Sequence, residues 1–202
     1  MKVLLVDDHA IVRDGLKRLL AAGLGWEVRE AADGREALAA LRQEPPDLVI
    51  LDLNLPGLGG IELLKRVVLA GRARVLVFSM HAEPVYATRA LEAGAAGYIS
   101  KNIAPDELLT AVQRVAAGGR YVEQDIAQQL ALGGAPQSMG QLTARELEIM
   151  RLLGLGRSLA EIADALGLGY KTVANALTQI KAKLGVARTA DLVRLAVEAG
   201  VS

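Results

Sequence analysis

Nearly continuous apolar runs recur at residues 3–6, 48–53 and 75–78, each rich in Val or Leu. Runs of this kind suit strands buried on both faces, as in a parallel sheet, better than half-exposed strands, which alternate. Between them lie amphipathic stretches at 11–20 (apolar at 11, 12, 16, 19 and 20), 34–41, 61–69, 85–93 and 107–116, which predict helices. Shorter strands at 27–30 and 97–100 complete five repeats of strand then helix. The alternation predicts a doubly wound α/β domain on a five-stranded parallel sheet with right-handed crossovers over residues 1–119.

After Gly118 and Gly119 the pattern changes. A short helix fits 124–132, and GGAPQSMGQ at 133–141 reads as a flexible connection, so 120–141 is expected to be a linker. From Thr143 onward no strand pattern occurs, and 142–202 is expected to be an all-α domain of four helices. Thr143 stands three residues before Glu146 and Ser158 three before Glu161, two capping-box spacings that start helices running to about 153 and 166, with Gly167 stopping the second. A third helix is expected over 171–184 and a fourth over 189–199. The second and third, joined by the short turn 167–170, outline a helix-turn-helix.

The 202 residues allow one domain or two modest ones. With 52% apolar and 23% charged residues, and 23 basic against 23 acidic side chains, the composition is that of an ordinary globular protein. The zero balance makes no global case for nucleic acid or membrane, but the two ends lean apart: residues 1–140 carry 15 basic and 17 acidic groups, residues 141–202 carry 8 and 6. Absence of cysteine removes disulfides, thiolate catalysis and Cys-ligated metals. No stretch approaches the ~18 apolar residues of a membrane span, and the N-terminal MKVLLVDDH does not read as an export signal. A cytoplasmic protein without membrane association is expected.

Asp7 and Asp8 fall at the end of the first strand and Asp52 at the end of the third, where ligands bind in open α/β sheets. Even at an effective dielectric of ~20, two carboxylates ~4 Å apart repel by about 4 kcal/mol, so a cation belongs among them. Carboxylates without a His or Cys ligand fit Mg²⁺. Lys101 follows the fifth strand and Ser79 the fourth, placing an ammonium and a hydroxyl at the same crevice, both suited to phosphoryl oxygens. Each residue also has a plainer reading, as helix cap, strand-end solubiliser or solvated loop lysine, and a strand-end lysine should contribute little to the fold. Their joint placement at four strand ends favours a phosphorylated carboxylate.

These residues, in VLLVDDH, LDLNLPGLGG, SMHAE and GYISK, resemble the receiver domain of two-component response regulators over the whole of residues 1–120. The resemblance implies that Asp52 is the phosphoacceptor, that Asp7, Asp8 and Asp52 hold Mg²⁺ with the backbone carbonyl of Asn54, that Ser79 and Tyr98 are the switch residues and that Lys101 pairs with the phosphoryl group. A rival reading, an aspartyl-phosphate hydrolase, usually has an acid two residues after the nucleophile. Here Asn54 stands there and cannot transfer a proton, so turnover is expected to be self-limited.

Residues 142–187 resemble the helix-turn-helix output domain of the LuxR/NarL group of response regulators. The third helix carries Lys171, Lys181 and Lys183 and no acid. Thr172, Asn175, Thr178 and Gln179 share one arc by spacings of three and four, with amides able to pair with adenine edges, while Val173, Leu177, Ile180 and Leu184 form the opposite, core arc. Leu159, Ala160, Ala174 and Ala176 stand where the group often has basic or polar residues, which reduces the expected phosphate contacts. The reading is a response regulator: a sensor histidine kinase phosphorylates Asp52, and this controls homodimerisation and promoter binding without enzymatic turnover. A competing reading has the helical domain bind a protein partner or sequester the receiver. The stripe Leu192, Leu195, Ala196 and Ala199 is a candidate dimer surface.

Overall fold

A computed structural model describes residues 1–55, 60–71, 73–131 and 142–198, in two compact units, one built on a sheet and one helical. The connecting segment 132–141, including GGAPQSMGQ, and Ala199 lie outside the described residues.

In the first unit the strands β1 (Lys2–Val6), β2 (Glu27–Ala31), β3 (Leu48–Leu51), β4 (Arg74–Ser79), β5 (Gly97–Ser100) and β6 (Tyr121–Val122) form one sheet in the order β2-β1-β3-β4-β5-β6, with every pair parallel. All residues of β3 and β5 are buried, as expected of strands covered on both faces. The helices α1 (Ala10–Leu24), α2 (Gly34–Gln43), α3 (Gly60–Ala70), α4 (Pro84–Glu92) and α5 (Pro105–Ala116) are the connections. Helix α1 runs past the expected 11–20 to Gly25, whose left-handed φ of 65° lets its N–H close onto the Ala21 carbonyl. One core cluster joins Val3, Leu5, Leu48, Ile50, Leu76 and Ile99 of the sheet to Leu16 and Leu20 of α1 and Val112 and Val115 of α5.

The five expected strands are present, and β6 is a sixth, contributed by the segment read as linker. Two residues carry no readable period. β6 is held instead by ladder bonds, Tyr121 N–H to the Ala96 carbonyl and Glu123 N–H to the Tyr98 carbonyl, and by the Tyr121 hydroxyl donating to Glu107 at 2.6 Å. Burial, then the hydrogen bond to Glu107, pushes the Tyr121 phenol up to about 12. α6 (Gln124–Ala131) follows, close to the expected short helix.

The second unit comprises α7 (Ala144–Gly154), α8 (Leu159–Ala165), α9 (Tyr170–Leu184) and α10 (Thr189–Glu198). Both capping boxes form: Thr143 and Glu146 exchange reciprocal bonds, as do Ser158 and Glu161. Gly167 (φ 62°) ends α8, and Leu168 N–H returns to the Ala163 carbonyl, setting the turn into α9. Helix α10 packs on α7, with Leu192 and Ala196 fully buried. Of the candidate dimer stripe, Leu192 and Ala196 thus serve the core, the plainer fate of such a stripe, while Leu195 is half-buried. No helix among the described residues is long and apolar enough to cross a membrane.

Candidate functional site

Parallel strands end at one edge of the sheet, so residues that follow them converge. Asp52 N–H donates to the Val6 carbonyl at 2.8 Å and Asp7 N–H to the Ala31 carbonyl at 3.2 Å, continuing the ladder and fixing the two acids side by side. Lys101 follows β5, its N–H on the Ser79 carbonyl at 2.7 Å, and its ammonium reaches across to Asp52 Oδ2 at 2.6 Å and Asp7 Oδ2 at 2.6 Å. The latter contact lies off the line of a well-formed hydrogen bond. The three side chains are 6%, 1% and 4% exposed, so this is a buried ion cluster. Asp52 Oδ1 accepts Asn54 N–H at 3.0 Å, Asp7 Oδ1 accepts His9 N–H at 2.8 Å, and Arg13 donates to the Asp7 carbonyl.

Burial lowers the Lys101 pKa, but the hydrogen bond to Asp52 and the close charges of Asp52 and Asp7 outweigh it and hold the ammonium above the ordinary lysine value. Lys101 is thus a buried, doubly paired ammonium and not the solvated loop lysine of the plainer reading. Ligand atoms of Asp7, Asp8, His9 and Asp52 lie within 4.8 Å of one another. One ammonium among three carboxylates leaves two negative charges unmatched, and the three carboxylates offer hard oxygens beside the His9 nitrogen, so the carboxylates fit a divalent cation that prefers oxygen. His9, to which the sequence reading gave no role, puts Nδ1 2.8 Å from Asp8 Oδ1. Its signal was adjacency in DDH.

Ser79 is the last residue of β4 rather than the first after it, and its Oγ accepts the His81 N–H at 3.2 Å. Tyr98 is fully buried, and its hydroxyl donates to the His81 carbonyl at 2.7 Å. The His81 ring stacks on Tyr86 with centroids 4.1 Å apart, and its Nε2 lies 3.0 Å from the Asn54 side-chain amide. His81 thus joins both expected switch residues to the loop after Asp52. Within SMHAE no local pattern marks His81 for these links.

On α9, Lys171, Thr172, Asn175, Thr178 and Gln179 are exposed, Lys181 is half-buried, and Val173, Leu177 and Ile180 are buried, as the two arcs require. The Thr178 hydroxyl donates to the Ala174 carbonyl within the helix. Lys183 departs from expectation: its ammonium binds Glu146 Oε2 at 2.6 Å and Oε1 at 2.8 Å, joining the end of α9 to the capping box of α7. Burial raises the Glu146 pKa, but Lys183 and Thr143 outweigh it and hold the carboxyl below its ordinary value. Lys183, 35% exposed, makes this contact within its own domain. Tyr170, 59% exposed at the start of α9, adds an aromatic surface not anticipated from sequence.

A receiver-type acidic crevice in one unit and a helix-turn-helix in the other define a signalling protein of two parts. The family model for the response regulator receiver domain matches residues 3–113, and that for bacterial regulatory proteins of the luxR family matches residues 140–196. The chain belongs to the response regulators that join a receiver to a LuxR-type DNA-binding domain. It is 46% identical to the transcriptional activator protein ExaE of Pseudomonas putida, over 100% of this chain and 98% of that protein, and 35% identical to the response regulator UvrY of Escherichia coli, over 100% and 95%. Among solved structures it is similar to a LuxR-family response regulator from Aurantimonas sp. (45% identity, 65% of this chain and 95% of that one, TM-score 0.62). It is also similar to RcsB of Salmonella enterica, solved bound to promoter rprA with a phosphomimetic (26% identity, 96% and 98%, TM-score 0.65).

Proposed function

We propose that a sensor histidine kinase phosphorylates Asp52 and that this state drives homodimerisation and promoter binding through α9. In this reading residues 1–119 together with β6 serve reception, the rest of 120–141 connection and 142–202 DNA binding. The observation that carries the reading is the Lys101 ammonium held between Asp52 and Asp7 at 2.6 Å each, with Asp8 beside them.

In the transfer, a carboxylate oxygen of Asp52 forms the new O–P bond, and the P–N bond of the kinase's phosphohistidine breaks with its electron pair returning to the imidazole. Asp7, Asp8, Asp52 and the Asn54 carbonyl would hold Mg²⁺, which would supply charge neutralisation for the transferring group. Lys101 turns its ammonium toward the new phosphoryl oxygens. Ser79, an acceptor from His81, keeps its own O–H as a donor to one of them. Movement of Ser79 and Tyr98 about His81 then shifts the receiver between two states, as differential contacts demand. Asn54 offers no transferable proton, so the phosphoryl group is lost slowly.

On DNA, Lys171 and Lys181 contact phosphates and Thr172, Asn175, Thr178 and Gln179 face base edges, while Lys183 does not take part. One short helix offers few contacts, so specific binding needs a dimer on two half-sites about one turn, ~34 Å, apart. The relation to transcriptional regulators along the whole chain favours DNA over a protein partner for the helical domain.

The test of the acceptor is incubation with Mg²⁺ and a small acyl phosphate, read by intact mass. Wild type should gain one phosphoryl group and Asp52→Ala none; labelling that persists in the variant would rule out Asp52. Asp8→Ala should label weakly and recover in part as Mg²⁺ is raised. A yield independent of Mg²⁺ would remove the metal from the account.

A further inference from the structure

Ser100 closes β5 immediately before Lys101 and is 2% exposed, so its N–H and hydroxyl need partners inside the protein. Both go to one carboxylate: Ser100 N–H donates to Glu123 Oε2 at 2.6 Å and Ser100 Oγ to Glu123 Oε1 at 3.2 Å. Hydrogen bonds to an ionised acceptor are roughly twice as strong as neutral ones. The backbone of Glu123 is committed on both sides as well. Its N–H donates to the Tyr98 carbonyl at 3.0 Å, and its carbonyl accepts Ala127 N–H at 2.9 Å, the first turn of α6. A two-residue edge strand has no need of an acid at its end. This acid ties together the backbone of Tyr98, the residue preceding Lys101 and the start of the helix that leads out of the sheet.

We propose that Glu123 is a positioning residue that holds the Lys101 end of β5 and carries the state of the acidic site to α6. The proposal rests on the phosphorylation reading. A phosphoryl group on Asp52 gives Lys101 a new partner beyond its present two carboxylates, and a shift of the main chain at Ser100 and Lys101 has to break or re-aim the bonds to Glu123. The same residue begins α6, so its displacement alters the first turn of that helix.

Hydrogen–deuterium exchange on the full chain, with and without a small acyl phosphate and Mg²⁺, tests this. In wild type, labelling should change exchange at the Ser100 and Ala127 amides and through α6 several-fold. In Glu123→Ala the unlabelled Ser100 amide should exchange about tenfold faster, for loss of a charge-assisted bond, Asp52 should label more slowly, and the α6 response should vanish. Glu123→Gln keeps one acceptor oxygen for the Ser100 N–H and should restore part of the response; it also carries the test where the alanine variant does not fold. A general loss of stability would speed α6 exchange equally with and without label, which is not the predicted pattern. A wild-type protein that labels without any change in α6, or a Glu123→Ala protein whose α6 responds as wild type does, overturns the coupling. A wild-type protein that does not label at all overturns the phosphorylation reading on which the coupling rests.

Discussion

The two units handle charge in opposite ways. In the sheet unit, Lys101, Asp52 and Asp7 are almost wholly removed from water and pinned to one another at 2.6 Å. On α9, Lys171, Asn175 and Gln179 stand exposed on the outer arc. A buried cluster stores electrostatic energy that a new charge can redistribute, and an exposed one waits for a polyanion. Lys183 stands between the two kinds: itself 35% exposed, it pairs with a Glu146 carboxylate only 7% exposed and ties α9 to α7.

The sharpest way to break the comparison is Lys101→Ala. Removing the cation from a buried pair leaves Asp52 and Asp7 facing each other, and such a break costs about 3 kcal/mol. Urea unfolding in a chelator should show that loss in the sheet unit, and Mg²⁺ should restore much of it. Equal stability of variant and wild type in chelator would show the cluster to be dispensable. Next comes Lys183→Ala, which strands Glu146 and should destabilise the helical unit by about 2 kcal/mol while leaving the salt slope of DNA binding unchanged. Lys181→Ala should do the reverse, weakening all sequences alike and reducing the log–log salt slope by roughly 1.8, one phosphate contact for each protomer of the dimer. If Lys183→Ala reduces the slope instead, its ammonium reaches phosphate and the internal pairing is not its role. Smaller still, Asn175→Ala or Gln179→Ala should relax base preference by about 1–2 kcal/mol without altering that slope.

The pH effects are the smallest and differ in sign between the units. The Glu146 pKa is depressed in the fold, so its contribution is present above the ordinary value of 4.5 and is lost as pH falls through its lower folded value. The Lys101 pKa is raised, so its contribution is complete below 10.5 and is lost as pH rises beyond that value. Acid should therefore weaken the helical unit through Glu146, an effect that Glu146→Gln removes from the pH profile. Alkali should weaken the sheet unit through Lys101. An acid limb that survives Glu146→Gln unchanged would assign it to other carboxylates.

What could be read from the sequence is what local periodicity encodes. Continuous apolar runs gave β1, β3 and β4, the Thr143–Glu146 and Ser158–Glu161 spacings gave both helix starts, and the parallel topology brought Asp7, Asp52 and Lys101 together from strand ends far apart in the chain. What stayed hidden depends on partners distant in sequence. Lys183 and Glu146 are 37 residues apart, Ser100 and Glu123 are 23 apart, and neither spacing belongs to a helix or strand period. β6 escaped because two residues show no alternation, and His81 because its links to Tyr98 and Asn54 arise only once the loops after β3 and β4 fold beside each other. The Leu192–Ala196 stripe was visible, but periodicity cannot say whether an apolar face meets its own domain or another copy.

The central claim is that charge chemistry at Asp52 governs what α9 does, and the most direct measurement is a DNA mobility shift on the full chain with and without acyl phosphate and Mg²⁺, alongside Asp52→Ala. The account predicts that labelled wild type binds its promoter as a dimer, far more tightly than the unlabelled protein, while Asp52→Ala does not respond to the phosphate donor. Salt-dependent binding that is the same in all three samples would contradict it.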